Sequence, residues 1–372
     1  MINRRSMIQN ASYATVIGAM SAEAFSRNSQ AEEQATRSTK ANELQSAKQV
    51  VLSHYKALAT ATLDNVAATL AERTSDNWLW RGMHPFHEKR GARDVAESFW
   101  KPFMAAMTPV QRRMDLFLAG RNEMDGYKSN WVVSMGHLMG MFSQPWLNIR
   151  PSGRIAMLRY AEFNRVEANK IVETAFFFDI PHLMIQADQN PFPPQTAAHL
   201  VQPGPATHDG LMVELQDPKA GERTLALINS MISDFGDDQT TPHARLARSW
   251  NEDMIWWGPA GIGAAYTIDG YIKQHAGPFN DALTDGYKFN GHICRLAEGK
   301  FGGFFGWANL TVKNSGGYLG MTASPNPADL RVVDLYREEN GKLAENWVFI
   351  DILHYLNMQG LDVLARMASL QP

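Results

Sequence analysis

Hydrophobic residues in the first quarter of the chain recur at intervals of three and four, which is the spacing of one helix face. The interval holds from Val50 to Leu70 and predicts a long helix over residues 44–72. A second helix is predicted over residues 95–107. It ends before Pro109, because a proline ring cannot continue a helix.

Downstream of these helices the pattern changes to apolar runs rich in β-branched and aromatic residues. Turn residues such as Asp125-Gly126 separate the runs and predict connections between strands. The four predicted strands cover residues 113–119, 131–142, 155–166 and 171–180. Helices that precede antiparallel strands indicate an α+β unit, not a parallel βαβ sheet.

The chain repeats itself. Residues 170–182 align without gaps on residues 342–354 at an offset of 172, and Lys, Glu, Asp and His coincide at four positions. Upstream, residues 77–82 pair with residues 253–258 at an offset of 176. The sequence therefore predicts two copies of one domain.

The length of 372 residues agrees with a duplication, because it suits two domains that each bury a core. The predicted domains cover residues 41–190 and 221–372. Residues 191–220 are rich in proline, from Pro191 to Pro205, and are predicted to be a linker. We expect the two copies to pack together as an internal pseudo-dimer, with further homo-oligomer formation left open.

Residues 1–40 carry features of an export signal. Arg4 and Arg5 precede a mildly apolar stretch over residues 11–20, and small residues follow near Ala22. This order is typical of a twin-arginine signal and predicts a periplasmic protein, the alternative being a polar tail on a cytoplasmic one. The apolar stretch is too short to span a membrane as a helix, so no integral membrane segment is predicted.

Composition narrows the function classes. The net charge is −3 with scattered basic residues, so no nucleic-acid partner is expected. Cys294 is the only cysteine, which excludes an intrachain disulfide and a cysteine zinc site. The sequence has no Gly-rich phosphate loop and no paired-histidine metal helix, so we expect no cofactor and no metal. Its 18 Phe, 10 Trp and 10 Tyr residues suit a pocket for a small hydrophobic molecule, or simply a core.

Several segments of the first copy form an ordered set of motifs. They are Gly136-His137-Leu138-Met139-Gly140-Met141-Phe142, Pro151-Ser152-Gly153-Arg154, the segment from Phe163 to Glu173, and Asp179. Residues 339–347 and Asp351 repeat the end of this set in the second copy. The motifs resemble the SnoaL-like polyketide cyclase family.

This resemblance implies two tandem cones of the nuclear-transport-factor-like, or cystatin-like, kind. In each cone a curved antiparallel sheet is wrapped by helices around an apolar pocket. In the cyclases a buried carboxylate at the position of Asp179 and Asp351 acts as acid and base in an intramolecular aldol condensation, without metal or organic cofactor. Relatives with this cone include isomerases, dehydratases and proteins without catalysis, so the fold alone fixes no reaction.

The residues themselves support Asp179 and Asp351 as candidate catalytic groups. Strand alternation puts Phe177 on the face of Asp179, and Trp347 and Phe349 on the face of Asp351. A carboxylate in an apolar pocket has a raised pKa, which suits acid/base catalysis. The alternative is a strand-end aspartate that caps the next helix or pairs with an arginine.

Three histidines are further catalytic candidates. His137 lies in the family motif and could share a proton with Asp179, although a core histidine would look the same. His182 and His354 each follow an aspartate by three residues, and their recurrence favours a shared catalytic or structural role. Because the second copy lacks a counterpart of His137, the sequence favours Asp179 over Asp351.

Aromatic residues near the predicted turns could bind the ligand or pack in the core. These candidates are Trp78, Trp80, Phe177, Trp256, Trp347 and Phe349. The sequence thus predicts an acid/base enzyme acting on a small hydrophobic carbonyl or polycyclic compound, by aldol condensation or a related isomerisation, dehydration or retro-aldol cleavage. The alternative is a non-catalytic carrier of an apolar or aromatic small molecule.

Overall fold

The computed structural model describes Thr39 and residues 41–198, 202–214, 216–235, 239–283 and 287–369. The predicted export signal lies outside these residues. No helix in the described part of the chain is both long and apolar enough to cross a bilayer.

The first copy contains a six-stranded sheet in the order β2-β1-β6-β5-β4-β3. β1 runs parallel to β6, and the other neighbours are antiparallel. The strands are β1 (Thr74–Gly82), β2 (His87–Arg90), β3 (Met107–Arg121), β4 (Asn130–Phe142), β5 (Ile155–Glu167) and β6 (Lys170–Phe178). The helices are α1 (residues 41–58), α2 (Val66–Arg73), α3 (Ala92–Val95), a π-helix (Ala96–Trp100), α4 (Lys101–Ala106) and α5 (Ile180–Gln186).

The second copy contains a sheet in the order β10-β11-β12-β13-β7-β8, with β9 also paired to β11. Its strands are β7 (Trp250–Trp257), β8 (Ala264–Tyr266), β9 (Lys288–Phe289), β10 (Cys294–Glu298), β11 (Phe301–Asn314), β12 (Ser324–Glu339) and β13 (Lys342–Ile350). Its helices are α6 (Pro218–Asp234), α7 (Pro242–Leu246), α8 (Ile268–Tyr271), a π-helix (Ile272–Ala276), α9 (Gly277–Leu283), α10 (Ile352–Met358) and α11 (Val363–Ser369).

The two copies share their topology. The second sheet repeats the order of the first, including the parallel pair, which is now β7 with β13. A π-helix recurs at Ala96–Trp100 and Ile272–Ala276, at the offset of 176 found in the sequence. The predicted fold of two tandem α+β cones is confirmed.

Two predicted elements differ from the structure. The helix expected over residues 44–72 is two helices, because the side chain of Asn65 accepts the Thr62 N–H at 2.7 Å and forms a turn after residue 58. The segment that follows, for which no strand was predicted, contains β1 (Thr74–Gly82). β1 also adds a parallel pair to a sheet that was expected to be antiparallel.

Each sheet has an inner face covered by its own helices and an outer face turned to the other copy. On the inner face of the first sheet, Trp80 packs on Phe99 with ring centroids 5.5 Å apart. On the outer face, Phe163 and Phe177 meet Phe305 of the second sheet at 5.0 and 6.1 Å. From here on, the first cone means the space between the inner face and the helices of the first copy. The second cone means the corresponding space of the second copy.

The predicted linker contacts both sheets. The Phe117 N–H of β3 donates to Gly210 O, and the Met212 N–H donates back to Phe117 O, both at 2.8 Å. On the other side, the Trp347 indole N–H of β13 donates to Pro203 O at 2.8 Å. These hydrogen bonds fix the connection along the two sheets.

Candidate functional site

The predicted catalytic aspartates lie where the two copies meet. One oxygen of Asp179 accepts the His182 N–H at 3.0 Å and caps α5, and the other accepts the Ala260 N–H of the second copy at 2.9 Å. Asp351 caps α10 through the His354 N–H at 3.3 Å and accepts the His84 N–H of the first copy at 3.0 Å.

These contacts are reciprocal, because Ala260 and His84 occupy the same position at the offset of 176. Each aspartate therefore caps its own helix and holds the backbone of the other copy. We call this pair of contacts the aspartate clasp. It corresponds to the helix-cap alternative of the sequence analysis.

An arginine accompanies each aspartate. Arg159 is fully buried and donates to Val348 O at 2.9 Å and Trp257 O at 3.1 Å, with its guanidinium 3.9 Å from the Phe349 ring centroid. Burial lowers the pKa of Arg159 to about 9, and the charge of Asp179 opposes that shift. On the other side, burial raises the pKa of Asp351 to about 6, against the attraction of Arg331, whose nitrogen lies 3.3 Å away.

Three aromatic candidates lie on the outer faces of the two sheets, one on β6 and two on β13, and are fully buried. Phe177 packs edge-on against Trp307 at 5.6 Å, Phe349 covers Arg159, and Trp347 donates to the linker. Packing between the copies leaves these rings no free surface for a ligand. Strand alternation grouped them correctly with the aspartates, but this face meets the other copy and not a pocket.

The candidate histidines also border the interface. His137 pairs with Arg159 across β4 and β5, which puts it on the outer face, and its Nδ1 lies 3.3 Å from Asp115. His182 is buried in the first turn of α5. His354 lies 5.7 Å from the His87 ring, and burial lowers its pKa to about 3, with Arg331 adding to the shift. A catalytic role for these histidines stays a prediction.

The interior of the first cone contains an ion pair and a polar network. Arg112 donates to Glu162 at 2.7 Å, and its guanidinium lies 3.8 Å from the ring centroid of Tyr55. The Tyr55 hydroxyl lies 2.8 Å from the Ser134 hydroxyl. The Trp78 indole N–H donates to Thr174 at 2.9 Å. Every polar group named here except the second Arg112 amine has a partner, so the space is a packed polar core.

Large aromatic side chains fill the rest of the first cone. Phe99 and Phe103 have no exposed surface, and Trp80 packs on Phe99 and Phe176. The candidate residues Trp78 and Trp80 are buried in this packing, and a ligand-binding role for them stays a prediction.

Four interior positions that are aromatic in the first cone carry smaller or polar side chains in the second. By the offsets of 172 and 176, the pairs are Phe99 and His275, Trp100 and Ala276, Phe176 and Val348, and Phe178 and Ile350. His275 is half-buried where Phe99 is fully buried, and Phe279 is half-buried where Phe103 is fully buried. These two ring positions are thus more exposed in the second copy than in the first.

Asp334 lies on the inner face of the second cone, at the position of Glu162 in the first. It accepts from the Asn346 amide at 3.3 Å and from the Tyr336 hydroxyl, and part of its surface is accessible. Burial raises the pKa of Asp334 to about 7, and these two hydrogen bonds offset only part of that effect.

Arg112 forms an ion pair with Glu162, and among the described residues no cation forms one with Asp334. In the first copy Arg112 pairs with Leu138 on β4, and at the matching place in the second copy Phe289 pairs with Leu310 on β11. Phe289 is 48% exposed. Among the described residues no positive charge contributes to the pKa shift of Asp334. An aromatic residue has thus replaced the arginine that neutralises this carboxylate position in the first cone.

An aromatic wall lies close to Asp334. Trp256, a predicted ligand-binding residue, stacks on His275 with ring centroids 3.9 Å apart. Tyr271 lies 5.4 Å from His275, and its pKa is raised by burial and then by the charge of Asp334. The same interior therefore holds a carboxylate, a phenol and an imidazole.

Sequence reasoning missed Asp334, Tyr271 and His275. A usable signal exists for Asp334, because the apolar run from Leu330 to Tyr336 contains one acidic residue at the offset of 172 from Glu162. No comparable signal marks His275, since only the π-helix turns it inward.

No protein-family model matches the chain, and no curated protein does. Solved structures are similar to parts of it. A protein assigned to the SnoaL-like polyketide cyclases, from Jannaschia sp. CCS1, is 15% identical, with 40% of this chain and 94% of that chain covered and a TM-score of 0.32. An NTF2-like protein from Burkholderia thailandensis is 22% identical, with 38% and 96% covered and a TM-score of 0.29. IdmH from Streptomyces antibioticus, assigned as a polyketide cyclase, is 12% identical, with 37% and 99% covered and a TM-score of 0.30. Solved structures similar in fold to parts of this chain thus include SnoaL-like polyketide cyclases and NTF2-like proteins.

Proposed function

We propose that this protein is an acid/base enzyme whose active site is the second cone and whose proton-transfer group is Asp334. The proposal rests on the surroundings of the Asp334 carboxylate. It is partly accessible in an aromatic interior, and within the part of the chain that the structure describes no cation contributes to its pKa. Its pKa, raised to about 7 by burial, suits a group that both takes and returns a proton near neutral pH.

The proposed chemistry is proton removal next to a carbonyl group of a small hydrophobic molecule. The Asp334 carboxylate takes the proton from carbon, the C–H electron pair forms a C=C bond, and the carbonyl oxygen receives the negative charge. The resulting carboxylic acid then returns the proton to carbon or oxygen. Aldol ring closure, isomerisation and dehydration each begin with this step, so the proposal is limited to what they share.

Deuterium exchange tests the shared step without knowledge of the natural substrate. The protein is incubated with 2-tetralone, a two-ring ketone, in D₂O, and loss of the α-proton signal is followed by NMR. We expect exchange to exceed the buffer rate.

The pH dependence of this exchange gives a specific prediction. Only the ionised carboxylate can take the proton, so kcat/KM should rise with pH, with a midpoint near 7, and level off above it. A midpoint near 4, the range of an unperturbed aspartate, would contradict the role of Asp334.

The same experiment distinguishes an enzyme from a non-catalytic carrier. Binding of 2-tetralone and related hydrophobic ketones without exchange above the buffer rate at any pH would support the non-catalytic carrier and overturn the proposed enzyme.

A further inference from the structure

His275 is the interior group of the second cone whose surroundings differ most from those in the first. The π-helix turns His275 inward, as it does Phe99 in the first copy. The imidazole lies parallel to the Trp256 ring, at 17°, and is half-buried. In the described part of the chain no side-chain hydrogen bond contributes to its pKa.

A second stacked histidine provides a contrast. His292 lies on Phe304 at 3.8 Å, and its Nδ1 accepts from Arg295 at 2.9 Å. Arg295 therefore engages one nitrogen of His292. The His275 ring is stacked on Trp256 in the same manner, but among the residues that the structure describes neither of its ring nitrogens has a hydrogen-bond partner.

We infer that His275 is the specificity-determining residue of the second cone, donating one ring N–H to the oxygen of a neutral hydrophobic ligand. This inference rests on the proposed function, because it adds a ligand class to the same site. Burial lowers the pKa of His275 to about 3, so the ring stays uncharged at physiological pH and supplies a hydrogen bond without a positive charge.

The inference also predicts what the second cone rejects. Around Asp334 the structure places Asn346, Tyr336 and Tyr271, which carry no charge near neutral pH. The charge of Arg295 acts on Tyr336 and that of Arg245 acts on Tyr271, but Arg295 is paired with Glu123 at 3.3 Å, and neither arginine contributes to the pKa of Asp334. With Asp334 ionised, a carboxylate ligand would meet like charge and a neutral imidazole. Neutral ketones, enols and phenols are therefore the favoured ligand class, and carboxylates should bind more weakly.

Calorimetric titration with three two-ring probes at pH 8 tests this selectivity. 2-Naphthol is neutral and carries an oxygen, naphthalene carries none, and 2-naphthoate is an anion. Wild-type protein should bind 2-naphthol about tenfold more tightly than naphthalene, the value of one hydrogen bond, and 2-naphthoate more weakly than either. At pH 6, where Asp334 is protonated, 2-naphthoate should bind more tightly than at pH 8.

Two variants separate the hydrogen bond from packing. In His275→Phe, which installs the residue found at position 99, 2-naphthol should bind only as well as naphthalene, whose own affinity stays unchanged. His275→Gln keeps an N–H donor and should retain the preference for 2-naphthol. Equal affinity of the His275→Phe variant and the wild type for 2-naphthol would overturn the inference. So would tight binding of 2-naphthoate at pH 8.

These outcomes are distinguishable from failure of the proposed function. Loss of selectivity among the probes, with 2-tetralone exchange intact, would contradict the role of His275 in specificity and support the catalytic role of Asp334. Selective binding of 2-naphthol with no exchange would contradict the catalytic role of Asp334 and support the proposed ligand class.

Discussion

Asp334→Asn is expected to lower the rate of 2-tetralone exchange by at least about 100-fold, the usual contribution of a general base. An amide has the shape of the carboxyl group but cannot take a proton from carbon. The interior should stay intact, because an amide oxygen can still accept from Asn346 and Tyr336. The variant should be at least as stable as wild type at pH 8, since burial disfavours the ionised carboxyl that it removes.

Asp329→Asn is the matched control for this experiment. Asp329 lies on the same strand as Asp334, an odd number of residues away, so it faces the outer side, where it accepts from Thr311 at 2.8 Å. Exchange by the control should equal that of the wild type. A rate for Asp334→Asn within a few-fold of this control would remove Asp334 from the mechanism.

Asp179→Ala is expected to lower the free energy of unfolding by about 3–6 kcal/mol, because it removes two buried hydrogen bonds to a charged group, each of which contributes about 1.5–3 kcal/mol. The His182 and Ala260 N–H groups would lose their acceptor, and Arg159 would keep a buried charge without its nearby carboxylate. Asp351→Ala should cost less, because Arg331 is only partly buried and can reach water. Urea unfolding followed by tryptophan fluorescence measures both changes.

Asp179→Asn distinguishes the clasp from catalysis. If Asp179 is part of the aspartate clasp, the asparagine variant should lose part of the stability and keep the exchange rate per folded molecule. The catalytic role predicted for Asp179 from the sequence requires the opposite, with exchange abolished and stability nearly unchanged. That second outcome would show that the active site lies at the interface between the copies and not in the second cone.

The repeat shows which part of this molecule the sequence could predict. The coincidence of Asp179 and Asp351 marked the duplication correctly and drew attention to both residues. The structure gives a physical reason for that coincidence, because each aspartate caps its own helix and holds the other copy. Residues that recur in both copies support the shared architecture.

The second cone depends on differences between the copies, which a search for repeats ignores. His275 stands at the position of Phe99 and Phe289 at that of Arg112, so among the described residues Asp334 has no arginine partner of the kind that Glu162 has. Strand alternation added a further ambiguity. It shows that two residues share a face, but which face meets the helices depends on packing between distant parts of the chain.

A crystal structure of the protein with 2-naphthol would show directly whether the second cone alone binds ligand. We expect one molecule per chain, in the second cone, within hydrogen-bond distance of His275 and beside Asp334, with the first cone filled by its own side chains. A molecule in the first cone, or one bound only at the interface near Asp179 or Asp351, would contradict this expectation.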